Sequence, residues 1–290
     1  MKRMFSTGFL AATLSVMVAG AAQAGAQEAA PESLQALRVS GKGPIVDVGG
    51  TIWNQAKAVK VAMQPQVVTM PTNPNAAVKE VTVRSVHNGE WLALLLEWQD
   101  YTKSDMVVVD GFSDQVAVEF PVTYKADNPP SPMMGNAGNR VNVLQWRASM
   151  QRDLDQGREA KIQDFYPNAP DADLYYTNRL SADAGRPYLG AKGLGNPVSV
   201  QSVGPVLDMM AEGFSSLTVR SKQEATGKGI YRDGKWHVTI TVPMNPVGKS
   251  APKLEAGQGT IVALAVWDGG GQEVGARKSW SDWVSLTLGK

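Results

Sequence analysis

The chain has 290 residues, with 28 Lys and Arg against 27 Asp and Glu, and no cysteine. That balance leaves no basic footprint for nucleic acid. The lack of thiols excludes a cysteine-held iron–sulfur cluster, a zinc ribbon, covalent c-type haem and a disulfide framework.

Lys2 and Arg3 precede an apolar run from Phe9 to Gly20, and Ala22-Gln23-Ala24 is a small-residue cleavage site. This is the pattern of a secretory signal peptide over residues 1–24. Its removal leaves 28 − 2 = 26 basic residues against 27 acidic ones. No later apolar run approaches the roughly 20 residues of a membrane span. The expected product is an exported, periplasmic protein. Residues 25–44 read as a flexible leader, and residues 45–290 as one domain.

Strand signals follow. Ile45–Val48 is short. Val59, Val61 and Met63 alternate with Ala58, Lys60 and Ala62, and Gln66–Met70 reads as a further strand. Val81 and Val83 alternate towards His87-Asn88-Gly89, an Asn-Gly hairpin signal. Trp91–Trp98 returns as an almost continuous apolar run, which predicts a central strand covered on both faces. Val116, Val118 and Phe120 alternate with Gln115, Ala117 and Glu119. A Pro/Gly/Asn loop containing Met133 and Met134 leads into the strand Val141–Arg147. Residues 150–215 show little periodicity beyond a short helix over 150–159. They form a long excursion, either a cover for a cofactor or partner or a surface decoration. Strands resume on both sides of Asp233-Gly234, at Ile261–Trp267 and at Val284–Leu288. About ten strands, tight turns and little helix predict an all-β, antiparallel β-sandwich.

The Met loop and the segments around it resemble the haem-b-binding gamma subunits of ethylbenzene dehydrogenase, dimethyl sulfide dehydrogenase, selenate reductase and chlorate reductase. Met134-Gly135, Val141-Asn142 and Gln145-Trp146-Arg147-Ala148 match that pattern in order, and so does Lys278-Ser279-Trp280-Ser281-Asp282-Trp283 near the C-terminus. The hairpin ending in Asp100-Tyr101-Thr102 and the strand Asp114–Phe120 also match. The resemblance implies one non-covalent haem b with Met134 and Lys278 as axial iron ligands. Met133 is the adjacent competitor, and Trp146, Arg140 and Arg277 are further candidates for cofactor contact. The implied role is electron transfer without substrate chemistry. The implied partners are an iron–sulfur subunit, a molybdopterin catalytic subunit of the dimethyl sulfoxide reductase superfamily, and a soluble periplasmic carrier.

Read without the resemblance, the residues leave other options open. Methionine more often fills core gaps than binds metal, and Lys278 at a strand start is ordinarily a surface residue. If its strand ran on without a bulge, Lys278 would share a face with Trp280, Val284, Leu286 and Leu288. The two histidines, His87 in a turn and His237 on a polar face, are poorly placed as ligands. No G-x-S-x-G, H-E-x-x-H or P-loop pattern indicates catalysis. The eight tryptophans keep a metal-free, carbohydrate-binding type of sandwich as the alternative, although Trp91, Trp98, Trp236 and Trp267 fall within strand patterns.

Overall fold

The computed structural model describes residues 33–108, 110–158, 164, 167–168, 196–198 and 204–290. The expected signal peptide, the first residues of the leader and most of the excursion after residue 158 lie outside these. In chain order the strands are β1 (Leu34–Arg38), β2 (Val59–Ala62), β3 (Gln64–Pro65), β4 (Glu80–His87), β5 (Trp91–Gln99), β6 (Gln115–Pro121) and β7 (Val141–Arg147). The helix α1 (Ala148–Gln156) follows. Then come β8 (Val206–Ala211), β9 (Thr218–Val219), β10 (Thr226–Arg232), β11 (Lys235–Pro243), β12 (Gly259–Trp267), β13 (Ser279–Trp280) and β14 (Val284–Leu288).

The strands hydrogen-bond in the path β10-β11-β5-β4-β1-β14-β12-β6-β7-β8-β9, with β2 on β4 and β13 between β12 and β3. The two halves of this path face each other as a sandwich. Leu94, Leu96, Trp98 and Ile240 of one half share a core with Val116, Val118, Leu144 and Val262 of the other. Burying each such side chain contributes roughly 1.5–3 kcal/mol. β5 is central, paired to β11 and β4. Its even-numbered residues enter the main core, while Ala93 and Leu95 pack on Trp53 and Val48. This explains its lack of polar alternation.

Several expectations need correction. The fold is mixed, not purely antiparallel, because β1 pairs in parallel with both β14 and β4. β1 also lies within the expected leader, where Leu34 and Ala36 are fully buried and link the two halves. Ile45–Val48 forms no strand. Nor does Gln66–Met70, because the buried Gln66 side chain takes over the local backbone. It donates to the carbonyls of Thr69, Pro71 and Ala276 and accepts from the N–H groups of Val68 and Thr69. The helix begins two residues before the expected start and stops at Gly157, whose φ of 66° forms a left-handed C-cap. The excursion is not irregular throughout, since β8 within it pairs with β7. His87 is fully buried at the end of β4, hydrogen-bonded to the Gly289 carbonyl, and burial lowers its pKa.

Trp146, Trp236, Trp98 and Tyr231 form an aromatic cluster at one end of the main core, with ring centroids 5.0–6.4 Å apart. Gly229 is required there, because a Cβ at this position would overlap the Trp146 ring. Gly229→Ala is expected to lower stability by about 1–3 kcal/mol. Urea unfolding monitored by tryptophan fluorescence would measure the loss, and an unchanged midpoint would show that the ring can move aside.

Candidate cofactor cavity

The outer face of β6, β7 and β12 forms the floor of a cavity of about 680 Å³, within the roughly 300–1,000 Å³ usual for cofactor sites. Strand alternation builds this floor. Val116, Val118, Phe120, Leu144, Trp146, Val262 and Val266 point into the sandwich, so their neighbours point outwards. Those neighbours include Ala117, Ala263 and Ala265, three small residues that leave room for a flat ligand. Register places Ala117 beside Ala265 and Ala263 beside Glu119.

Met133 and Met134 wall one side of the cavity, and Lys278 and Trp280 contribute from the β13 segment. The Met loop is held from several directions. The Gly135 N–H reaches the Ser131 carbonyl at 2.9 Å, the Gly213 N–H reaches the Met134 carbonyl at 2.7 Å, and the Ser131 N–H reaches Asn136 Oδ1 at 2.9 Å. Met134 has φ 69°, which is unusual for a side chain of its type. Gly135 follows at φ 74° against the Asn139 carbonyl, where no Cβ fits. A non-glycine residue held in the left-handed region by surrounding bonds is a feature that clusters at functional sites. Of the two methionines, it singles out Met134.

Two tryptophans brace the segments that carry Met134 and Lys278. Trp283 Nε1 donates to the Pro130 carbonyl at 2.7 Å, tying the C-terminal segment to the Met loop. Trp280 Nε1 donates to the Pro65 carbonyl at 3.2 Å. Lys278 and Trp280 do not continue the face of β14. β13 pairs with β12 and β3, and residues 281–283 belong to no strand, so Leu286 and Leu288 enter the core while Lys278 faces the cavity.

Lys278 Nζ lies 5.2 Å from the Trp267 ring centroid. Burial lowers its pKa, with Glu119 opposing. Glu119 is itself pushed up to about 8, mainly by burial, despite help from Lys278 and the Met134 N–H. Both groups are therefore driven towards their neutral forms. Glu119 Oε1 is buried without a hydrogen-bond donor.

At the other end of the floor lies a chain of polar groups. Arg147 Nη2 donates to Gln145 Oε1 at 3.0 Å, Gln145 Nε2 to Gln115 Oε1 at 2.7 Å, and Gln115 Nε2 to the Ser113 carbonyl. Burial lowers the Arg147 pKa. Its Nε is buried without a partner, and no carboxylate among the described residues forms an ion pair with it. A half-buried guanidinium without a counter-charge among the described residues, facing a cavity, suits a ligand that carries its own carboxylate.

The other candidates fall elsewhere. Trp146 sits in the sandwich core, on the opposite face of β7 from Gln145 and Arg147. Arg140 is outside the lining and pairs with Glu212 at 2.9 Å. Arg277 is half-buried and also outside the lining. Glu119, Gln145 and Arg147 are among the lining residues that sequence reasoning missed. Strand alternation groups Glu119 with Ala117, and Gln145 with Arg147, away from Val118 and from Leu144 and Trp146. His237 is hydrogen-bonded to Glu97, and neither histidine lines the cavity.

Residues 50–279 match the family described as ethylbenzene dehydrogenase. The chain belongs to that family. It is 24% identical to a Haloferax mediterranei protein named as a respiratory nitrate reductase heme subunit, over 82% of this chain and 66% of that protein's length. It is 23% identical to the chlorate reductase gamma subunit of Ideonella dechloratans, over 94% of this chain and 90% of that protein. Among solved structures, a family 9 carbohydrate-binding module from Caldicellulosiruptor kristjanssonii, in complex with glucose, aligns over 89% of this chain and 97% of its own. Its identity is 8% and its TM-score 0.40, too low to inform the ligand of this chain. None of the eight tryptophans is exposed, so none of them offers an open face of the kind a sugar stacks on.

Proposed function

We propose that this chain is the haem b-binding, non-catalytic subunit of an exported multi-subunit oxidoreductase. The observation that carries the reading is the convergence of Met134 and Lys278, distant in sequence, on one alanine-floored cavity. The donor set fits a haem. Met134 offers a soft thioether, and Lys278 offers an amine in surroundings that disfavour its charged form. The half-buried Arg147 offers a partner for a propionate carboxylate, the role expected of Arg140 or Arg277. Bound there, the haem would supply a one-electron couple.

The protein's part is to hold and tune that group. Met134 Sδ would hold the iron, and a thioether raises the reduction potential. Lys278 Nζ would be the second protein donor and must be deprotonated to bind, a cost that burial reduces. Glu119, beside both ligands, is able to hold the proton that Lys278 gives up. The apolar walls exclude water. In the full complex, an iron–sulfur subunit would exchange electrons with this site, a molybdopterin subunit would act on the substrate, and a periplasmic carrier would complete the path. The family relationship supports this arrangement, and the lack of cysteine in this chain requires any iron–sulfur cluster to reside in a partner.

The test is the absorbance spectrum of the protein purified from the periplasm. The expected result is a low-spin haem, about one per chain, extractable with acid–acetone because no cysteine anchors it. A colourless protein that takes up no added haemin would overturn the reading.

A further inference from the structure

Beyond the haem cavity, three strand ends bring together carboxylates that nothing in the proposed electron-transfer role uses. Asp100 follows β5, Asp114 precedes β6 and Asp268 follows β12. One oxygen from each lies within 4.8 Å of the others. Two oxygens on opposite sides of a Ca²⁺ ion lie about 4.6–5.2 Å apart, so all three fit within one coordination sphere.

The individual oxygens show what is missing. Asp100 Oδ1 accepts from the Thr102 N–H at 3.0 Å and the Thr102 hydroxyl at 3.3 Å. Asp100 Oδ2 is sealed from solvent and has no donor in full hydrogen-bonding geometry, in a residue only 2% exposed; the neighbouring Trp98 indole N–H eases its charge but is itself left without a well-formed bond. The charged neighbours of Asp100 are the carboxylates of Asp114 and Asp268. No Lys or Arg among the described residues forms an ion pair with any of the three, so the cluster lacks a positive partner. Asp114 is fully buried and held rigidly. Its Oδ2 accepts from the Ser104 N–H at 2.7 Å and Trp236 Nε1 at 2.8 Å, and its Oδ1 from the Gly269 N–H at 2.8 Å. Asp268 accepts the Gly271 N–H through Oδ1 and is the least buried of the three.

We propose that Asp100, Asp114 and Asp268 bind one Ca²⁺ ion that ties the ends of β5, β6 and β12 together. Hard oxygen donors of irregular geometry suit Ca²⁺, whereas Mg²⁺ demands a near-ideal octahedron and retains several waters, which such a buried site does not accommodate well. The ion would also steady the cavity. Ser113 and Gln115 flank Asp114, Trp267 precedes Asp268, and all three line the haem site.

The test uses the purified full chain with its native partners, stripped with EGTA and dialysed into chelator-free buffer. Calorimetric titration with CaCl₂ should give one site per chain. Saturation to about a hundredfold above the dissociation constant should raise Tm by roughly 5–10 °C. Asp268→Asn, the least buried substitution, should weaken binding at least tenfold, and Asp100→Asn should abolish it. Asp233→Asn, on an exposed hairpin turn, should change nothing. A flat titration in the folded wild-type protein would overturn the proposal. So would a Tm rise retained in both Asp100→Asn and Asp268→Asn. Equal binding of Mg²⁺ would overturn the assignment to Ca²⁺.

Discussion

Met134→Ala is expected to convert a low-spin haem to a largely high-spin one, with water or nothing at the vacated position. The reduction potential should fall by on the order of tenths of a volt, within the roughly 0.8 V range that axial ligation spans. Met133→Ala should do much less, because Met134 alone has the constrained φ of 69° and the carbonyl tie to Gly213. Lys278→Ala should likewise open a position. Lys278→His should restore a low-spin site, because imidazole binds iron without so large a deprotonation cost. Optical spectra and redox titration of the four variants check the set. Unchanged low-spin spectra in both Met134→Ala and Lys278→Ala would reject these ligands, even in a protein that binds haem.

The acidic cluster should make stability depend on pH in opposite directions with and without a divalent cation. In the cation-free protein Asp100 is pushed up to about 6 and Asp114 to about 7, by burial first and then by neighbouring carboxylates. A carboxyl whose folded pKa is raised contributes its full stability below the unfolded value of about 3.9. That contribution is lost as pH rises through the folded value. In EGTA, unfolding free energy should therefore decline between about pH 4 and 7. Asp100→Asn should remove part of that decline. At pH 8 it should be more stable than wild type by on the order of 2–3 kcal/mol, while at pH 4 the two should nearly coincide. With saturating Ca²⁺ the wild type should be the more stable of the two at pH 8. Urea unfolding across pH in both buffers measures this. A wild type that gains stability from pH 4 to 7 in EGTA, with Asp100→Asn showing the same gain, would contradict the argument.

The sequence was informative where a rule acts locally. Val116, Val118 and Phe120 alternate as the sandwich requires, and the apolar run of β5 sits between two strands as its composition implies. Met134 and Lys278 were legible only through the family pattern, yet both line the cavity. What escaped depended on partners distant in sequence. Leu34–Arg38 is too short to declare itself a strand, and its burial comes from β14 and β4. His87 looked like an exposed turn residue, but the C-terminal Gly289 covers it. Trp146 and Arg147 are adjacent, and the motif alone does not say which of them faces the cofactor. Only the placement of the second layer decides that Trp146 is core and Arg147 is lining.

The strands β6, β7 and β12 serve two masters at alternate positions, and this restricts how the gene can change. A point substitution at Ala117 or Gln145 touches the cavity and spares the sandwich, while one at Val116 or Leu144 does the reverse. Loss or gain of a single codon within β6 is different in kind. It would exchange the faces, sending Glu119 into the core and Phe120 into the cavity. Relatives are therefore expected to exchange residues of like kind on each face of these three strands but to confine length changes to the loops between them.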